Sequence, residues 1–309
     1  MENILTDKKN KILITGANGQ LGRDLIKEFN ERKNFLIAGT DLQEKYSGDE
    51  TCEYLPVDIT NYEAVENLFM KIKPDRVIHC AAWTAVDAAE DENNKNIVWN
   101  VNVIGTENIA KACKNFNCVM TYISTDYIFN GQGSEAWKPD DEKFKPLNYY
   151  GLSKLNGEFA VKKFLDKYFI VRIAWVFGQN GNNFVKTMLK LAEKYKTLRV
   201  VNDQIGTPTY TPDLAKLLAD MNLTDKFGIY HATNEGGFIS WYDFACEIFK
   251  QANININIIP VTTAEYGLSK AERPFNSRLD KRKLSENGFK LLPDWRDALR
   301  RYLLNANRN

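Results

Sequence analysis

The sequence predicts an α/β fold in which a doubly wound parallel sheet is joined to a smaller α/β unit. Short apolar runs alternate with helical segments over most of the first 173 residues, and this alternation is typical of parallel strands joined by right-handed crossovers. The first apolar run ends in a glycine-rich turn, which is typical of a Rossmann-type sheet. The later segments are shorter and less regular, which favours a second unit that binds a substrate.

The first strand, turn and helix predict a site for a dinucleotide. Residues 11–15 are an apolar run, residues 24–30 are helical in pattern, and residues 35–39 form the next strand. Between the first two lie Gly16, Gly19 and Gly22, whose spacing allows a tight turn, close approach to a pyrophosphate and packing of the helix on the strand. Asp41 follows the second strand and suits an adenosine ribose hydroxyl, which favours NADH over NADPH.

The alternation of strands and helices continues through the first half of the chain. Strands are expected at 53–57, 76–79, 118–124 and 168–173, with helices at 61–72 and 97–116. The ends of the strands should meet at one edge of the sheet, where ligands bind. Residues 80–87 are small and could underlie a flat cofactor, whereas 130–144 are polar and are expected to form a surface loop.

Tyr150 and Lys154 are the candidate catalytic pair. Their spacing of four residues places both side chains on one face of a helix, and a neighbouring ammonium is expected to lower the pKa of the phenol. Such a phenol can act as a general acid. Tyr149 provides a comparison, because the residue four positions beyond it is Ser153, which cannot replace a lysine. Thr125, at the end of a strand, is the expected hydroxyl partner, since alternation places Ser124 on the opposite face.

The later segments complete the expected division into domains. Residues 1–10 form a polar extension that does not have the pattern of a secretory signal. Residues 11–173, with parts of 198–231 returning, form the NAD(P)-binding Rossmann domain. The remaining segments of 174–309 form the substrate-binding domain.

Composition excludes several classes of protein. The net charge of +1 gives no basic field for nucleic acid or a membrane surface, and no apolar run is long enough to span a bilayer. Five scattered cysteines indicate reduced thiols and a cytoplasmic location. His79 and His231 are expected to be packed, and Trp83, Trp99, Trp241 and Trp295 are expected to serve packing.

Taken together, the motifs resemble those of the extended short-chain dehydrogenase/reductases, and among these the dTDP-4-dehydrorhamnose reductases. The segments that carry the resemblance are 16–22, 81–87, 124–129, 150–155, 172–177, 181–184, 202–208 and 273–279. The resemblance covers nearly the whole chain after the first ten residues. It implies that the 4-keto group of dTDP-4-dehydro-β-L-rhamnose is reduced with NADH or NADPH to dTDP-L-rhamnose, for cell-surface polysaccharide.

The resemblance also implies roles for individual residues. Tyr150 would protonate the alkoxide, Lys154 would lower the pKa of Tyr150 and hold the nicotinamide ribose, and Thr125 would bind the carbonyl oxygen. The remaining residues of the cofactor segments are Gln20, Leu21, Asp58, Ile59, Ala81, Ala82 and Trp83. Those expected to touch the sugar nucleotide are Asp126, Tyr127, Trp175 and Arg273.

Several alternatives stay open at this point. Arg273 and Arg278 could pair with the substrate diphosphate, or could join the domains. Some relatives hold magnesium at a subunit contact, but here Asp24 stands where a longer glutamate is expected, so no metal ligand is assigned. A homodimer is an alternative to a monomer. The alternative functions are another sugar-nucleotide reductase, a 4-epimerase, or a regulatory subunit that binds a dinucleotide without catalysis.

Overall fold

The computed structural model describes residues 10–306 and contains a seven-stranded sheet that is parallel throughout. The strand order is β11-β6-β5-β4-β1-β2-β3. These strands are Asn10–Thr15 (β1), Phe35–Asp41 (β2), Glu53–Pro56 (β3), Arg76–His79 (β4), Val119–Thr125 (β5), Tyr168–Ile173 (β6) and Gly228–His231 (β11). The order reverses direction between β1 and β4, which confirms the predicted doubly wound sheet. The extension predicted for residues 1–10 lies outside the described residues except for Asn10, which opens β1.

Helices cover both faces of this sheet. They are Gln20–Arg32 (α1), Tyr62–Ile72 (α2), Glu92–Trp99 (α3), Thr106–Asn115 (α4), Tyr149–Phe164 (α5) and, from the later half, Thr211–Met221 (α7). On one face Ile12 and Ile14 pack with α1 and α7, and on the other Leu13 packs with α2 and α4. The alternation along β1 therefore divides the core into two layers.

The later half adds short paired strands and helices around a third apolar cluster. The strands are Val176–Phe177 (β7), Thr197–Val201 (β8), Ile205–Gly206 (β9), Thr209–Tyr210 (β10), Asn234–Glu235 (β12), Ile239–Ser240 (β13), Asn257–Val261 (β14) and Leu292–Asp294 (β15). The helices are Phe184–Ala192 (α6), Trp241–Gln251 (α8), Thr263–Tyr266 (α9), Arg282–Glu286 (α10) and Trp295–Ala306 (α11). Phe177, Phe244 and Trp295 are fully buried in this cluster.

Two local expectations were wrong. The single helix expected at 97–116 begins earlier and is interrupted by a π-helical turn, Asn100–Gly105. The side chain of Asn102 in this turn bonds to both the backbone N–H and the carbonyl of Trp83. The polar segment 130–144 is not simply a surface loop, because Trp137 is buried and stacks on Phe129 with ring centroids 4.7 Å apart.

No helix between residues 10 and 306 combines the length and apolar character needed to cross a membrane.

Candidate active site

The glycine turn lies where the strand order reverses, and backbone segments approach closely there. Gly16 has φ +68°, and a Cβ atom on it would lie 2.7 Å from the backbone nitrogen of Ala81. A Cβ atom on Gly22 would lie 2.1 Å from the carbonyl oxygen of Gly16. A larger residue at Gly16 would push the ends of β1 and β4 apart, and one at Gly22 would push α1 away from the glycine turn. This crevice is where dinucleotides bind in doubly wound sheets.

Two adjoining cavities open at this crevice. The larger has a volume of about 490 Å³ and the smaller about 330 Å³, and both are lined by Gly16, Gly19, Cys80 and Ala82. Together they form a continuous path from the end of β2 to the face of α5. The length and the glycine-lined middle fit an extended dinucleotide, with its pyrophosphate beside the turn and the start of α1.

Most of the residues that the sequence analysis assigned to the site line these two cavities. The smaller is lined by Asp41, Asp58, Ile59 and Ala81. The larger is lined by Gln20, Leu21, Gly22, Thr125, Asp126, Tyr127, Tyr150, Lys154 and Trp175. Trp83 is the cofactor candidate that lines neither cavity, and its indole N–H donates to the carbonyl oxygen of Ala85 at 3.1 Å.

The helix that carries Tyr150 is positioned by its cap and by a glycine. Asn148 caps α5 by accepting a hydrogen bond from the N–H of Gly151, at 2.8 Å. A Cβ atom on Gly151 would lie 2.3 Å from the carbonyl oxygen of Tyr127. The first turn of α5 therefore lies directly against the segment that follows β5. Tyr150 and Tyr127 meet edge to face, with ring centroids 5.9 Å apart.

The pKa of Tyr150 differs from the sequence expectation. Burial, and after it the carboxylate of Asp126, raises the pKa of Tyr150 above its usual range, while a hydrogen bond with Thr125 acts in the opposite direction. The expected lowering by Lys154 is therefore not what the structure shows. The phenol keeps its proton at neutral pH, which is the state that a proton donor requires.

Lys154 is buried and its ammonium group is costly to keep charged there. Its Nζ lies 4.1 Å from the centre of the Tyr122 ring. Burial lowers the pKa of Lys154 to about 7, and Glu158, and after it Cys80, act against this shift. Near neutral pH the charged and the neutral form of Lys154 are therefore both populated.

Asp126 is a buried carboxyl group next to the pair. Thr125 donates a hydrogen bond from Oγ1 to Oδ1 of Asp126, at 3.0 Å, and burial raises the pKa of Asp126 to about 6 even though Ser277 and Thr125 lower it. Oδ2 accepts no hydrogen bond of ordinary geometry. Asp126 lines the larger cavity, where its carboxyl group can bond to a polar ligand.

Sequence reasoning missed the contribution of Trp241. Its ring stacks on that of Trp175, with centroids 3.7 Å apart and planes 15° apart, and it lines the larger cavity. Trp175 has φ +51°, an unfavourable region for such a residue, so the stack helps to hold it. Trp241 follows a helix cap, and no local signal distinguishes it from a packing tryptophan.

Arg273 lies apart from the larger cavity. It forms a two-point ion pair with Asp87, with Nη1–Oδ1 at 3.0 Å and Nη2–Oδ2 at 2.6 Å. The pair joins the 80–87 loop to the chain after α9. Arg273 and Trp241 also line a third cavity of about 330 Å³, which meets the larger cavity at Trp241.

The cavity beside Asp24 is lined by acidic side chains, Glu28, Glu31, Asp49 and Glu50, as well as by basic ones, and no magnesium ligand is assigned there. Burial raises the pKa of Asp24 to about 6, although Thr211, Lys27 and Arg23 lower it. Arg23 and Lys27 line the same cavity as Asp24, and within residues 10–306 no three histidine, cysteine, aspartate or glutamate side chains are grouped to hold a metal.

The fold and the site together define an NAD(P)-dependent oxidoreductase of the extended short-chain dehydrogenase/reductase class. Residues 10–308 match the family described as the RmlD substrate binding domain, and the chain belongs to that family. The resemblance inferred from the motifs is thereby confirmed.

Three similar proteins show how far this likeness extends. A spore coat polysaccharide biosynthesis protein, SpsK, of Bacillus subtilis is 39% identical over 293 residues, covering 95% of this chain and 96% of that protein. A dTDP-4-dehydrorhamnose reductase of Aggregatibacter actinomycetemcomitans is 40% identical over 303 residues, covering 94% and 97%. The crystal structure of the Bacillus anthracis dTDP-4-dehydrorhamnose reductase in complex with NADP is 39% identical, with a TM-score of 0.87 and coverage of 96% and 99%.

We expect that replacing Asp126 by asparagine stabilises the protein at neutral pH. Because the folded-state pKa is raised from 3.8 to about 6, ionisation costs stability as pH rises through this window. Asp126→Asn should raise the free energy of unfolding by about 1–3 kcal/mol at pH 7.5, and the gain should disappear near pH 4. Urea denaturation at both pH values measures this difference.

The matched control is Asp213→Asn. Asp213 is a buried carboxylate that is paired with Arg301, with Nη2–Oδ2 at 2.7 Å, so its replacement should destabilise the protein at pH 7.5. An equal effect of Asp126→Asn at pH 7.5 and pH 4 would show that ionisation of Asp126 is not the cause.

Proposed function

We propose that the protein reduces the 4-keto group of dTDP-4-dehydro-β-L-rhamnose to dTDP-L-rhamnose with NAD(P)H, as a step in making dTDP-rhamnose for cell-surface polysaccharide. The observation that carries the proposal is the joining of Thr125, Tyr150 and Lys154 in one cavity that continues into the glycine-lined crevice. The reductases named above support the substrate.

Thr125, Tyr150 and Lys154 have separate roles in the proposed reduction. Bound NAD(P)H supplies the hydride that adds to the carbonyl carbon. The Thr125 hydroxyl hydrogen-bonds the carbonyl oxygen and stabilises the charge that forms on it. Tyr150, which holds its proton at neutral pH, donates that proton to the same oxygen. The Lys154 ammonium holds the ribose and favours the phenolate that remains.

The nucleotide part of the substrate is proposed to occupy the third cavity. Phe184, Tyr266 and Trp241 give it apolar and aromatic walls, and Arg199 and Arg273 add positive charge. An aromatic wall suits a base, and guanidinium groups suit a diphosphate. Trp175 and Trp241 would then separate the sugar from the base. In this arrangement the large-sheet domain holds the cofactor and the later segments hold the substrate.

The cofactor preference is proposed to be NADH. The Oδ2 atom of Asp41 accepts a hydrogen bond from the backbone N–H of Asn18 at 3.0 Å, and Oδ1 accepts one from that of Leu42 at 2.8 Å. These bonds hold the carboxylate at the cavity wall, where it repels a 2′-phosphate. A cytoplasmic location is also proposed, supported by five free cysteines.

The proposed function is tested by mixing the protein, dTDP-4-dehydrorhamnose and NADH or NADPH, and following the absorbance of the reduced nicotinamide.

Tyr150→Phe should lower kcat by about 10²–10⁴-fold, because the proton donor is lost, while binding of NADH, followed by fluorescence, is retained. Tyr149→Phe is the matched control and should keep wild-type activity. Full activity of Tyr150→Phe would refute the assigned role, and no loss of NADH with wild-type protein would favour an epimerase or a non-catalytic protein.

Asp41→Asn should shift the cofactor preference towards NADPH. The change removes the negative charge and keeps an acceptor for one backbone N–H, so the ratio of kcat/KM for NADPH to that for NADH should rise about tenfold, which corresponds to about 1.4 kcal/mol. Asp58→Asn, in an acid that lines the same cavity, should leave this ratio unchanged. An unaltered ratio in Asp41→Asn would remove Asp41 as the determinant.

Arg273→Met should raise the KM for the nucleotide sugar about 10-fold or more, since a hydrogen bond to a charged group contributes about 1.5–3 kcal/mol. The KM for NADH should not change. Arg282→Met is the control, because Arg282 pairs with Asp280 on the surface. If Asp87→Asn reproduces every kinetic effect of Arg273→Met, Arg273 acts only through the ion pair that joins the two segments.

A further inference from the structure

Glu158 lies one helical turn beyond Lys154, as Lys154 lies one turn beyond Tyr150. The spacing of four residues places all three side chains along one face of α5. Lys154 is 3% exposed and Glu158 is fully buried. A buried carboxylate at this position is costly unless its charge is compensated, so its partners determine its state.

Glu158 is held by two elements of the large sheet. Arg172 of β6 donates from Nε to Oε1 at 2.9 Å and from Nη2 to Oε2 at 2.8 Å. Ser124 of β5 donates from Oγ to Oε1 at 2.5 Å. Three donated hydrogen bonds, two of them from a guanidinium, compensate the charge of the carboxylate. Because Ser124 precedes Thr125, the same contact ties α5 to the end of β5.

Arg172 is fixed on its other side by neutral groups. Its Nη1 donates to the carbonyl oxygen of Pro139 at 2.9 Å and lies 3.4 Å from Nε2 of His231. Burial, and after it the charge of Arg172, lowers the pKa of His231 well below its usual range. The charges therefore alternate in sign from Lys154 to Glu158 to Arg172, and the row ends at the neutral ring of His231.

Four titratable groups around Lys154, namely Cys80, His79, Tyr122 and Tyr150, are neutral near pH 7, whereas Asp126, with a pKa of about 6, is largely ionised there. Burial raises the pKa of Cys80 to about 12, lowers that of His79 to about 3, and raises those of Tyr122 and Tyr150. These groups belong to β4 and the loop after it, to β5, and to α5 itself. Among the groups of the described residues that act on the pKa of Lys154, Glu158 has the largest effect in favour of the ammonium.

We propose that Glu158 is a positioning residue: its carboxylate, fixed by Arg172 and Ser124, holds the Lys154 ammonium charged, one helical turn beyond Tyr150. This inference rests on the proposed function only for the role of Lys154 in catalysis. The charge on Lys154 can also be measured without a substrate, through the binding of NADH.

Removing the carboxylate should make Lys154 easier to deprotonate. Binding and turnover need the ammonium, so they are present below the pKa of Lys154 and are lost as pH rises through it. Without Glu158 that pKa falls, and the loss moves to lower pH by about one unit, the shift expected when a nearby opposite charge is removed. At pH values below both midpoints the two proteins should behave alike.

The test measures NADH affinity by fluorescence, and kcat/KM for dTDP-4-dehydrorhamnose, between pH 5.5 and pH 9.5. Glu158→Gln alone leaves Arg172 as an unpaired buried charge and can prevent folding. The double variant Glu158→Gln/Arg172→Gln removes both charges and is the principal test. Its alkaline midpoint for NADH binding should lie below that of the wild-type protein, by less than one pH unit, because the like charge of Arg172 is removed together with the carboxylate.

The matched control is the double variant Asp213→Asn/Arg301→Gln, which removes a different buried-to-surface ion pair. It should lower the melting temperature and leave the midpoint unchanged. A midpoint of Glu158→Gln/Arg172→Gln that equals the wild-type value overturns the proposal, even if stability has fallen. If the wild-type protein binds NADH but does not reduce the ketosugar, the proposed function fails, whereas the binding midpoints still decide the role of Glu158.

Discussion

The close approach of the chain at the ends of β1 and β4 is the constraint on which the site depends. β1 and β4 are neighbours at the reversal of the sheet, and their following segments touch through Gly16 and Ala81. This contact gives the crevice a floor of backbone atoms. The cavities on each side of it then place one end near Asp41 and the other near α5.

The catalytic end of this crevice contains more buried ionisable groups than stability alone would favour. Tyr150, Asp126 and Lys154 all have pKa values moved by burial towards their neutral forms. Groups of this kind gather at functional sites because chemistry needs protons that can move near neutral pH. Beyond them along α5 lies the fully buried ion pair of Glu158 and Arg172, in which each charge compensates the other.

The sequence anticipated the elements that arise from local patterns. The strand at Arg76–His79, the strand at Tyr168–Ile173 and the glycine turn were predicted correctly because apolar runs and glycine spacing are local signals. The π-helical turn was not predicted, because it depends on how Asn102 contacts the backbone of Trp83. The burial of Trp137 depends likewise on Phe129 and on Asn276, whose carbonyl oxygen accepts its indole N–H.

By itself, the sequence determined the alternating fold, the dinucleotide turn and the placing of Tyr150 and Lys154 one turn apart on a helix, since each follows from spacing within a few residues. Only the tertiary structure decided that Arg273 pairs with Asp87, that Trp241 stacks on Trp175, and that the pKa of Tyr150 is raised. The first two join residues that are 186 and 66 positions apart. The third depends on burial, a property of the whole packed chain that no single segment of the sequence contains.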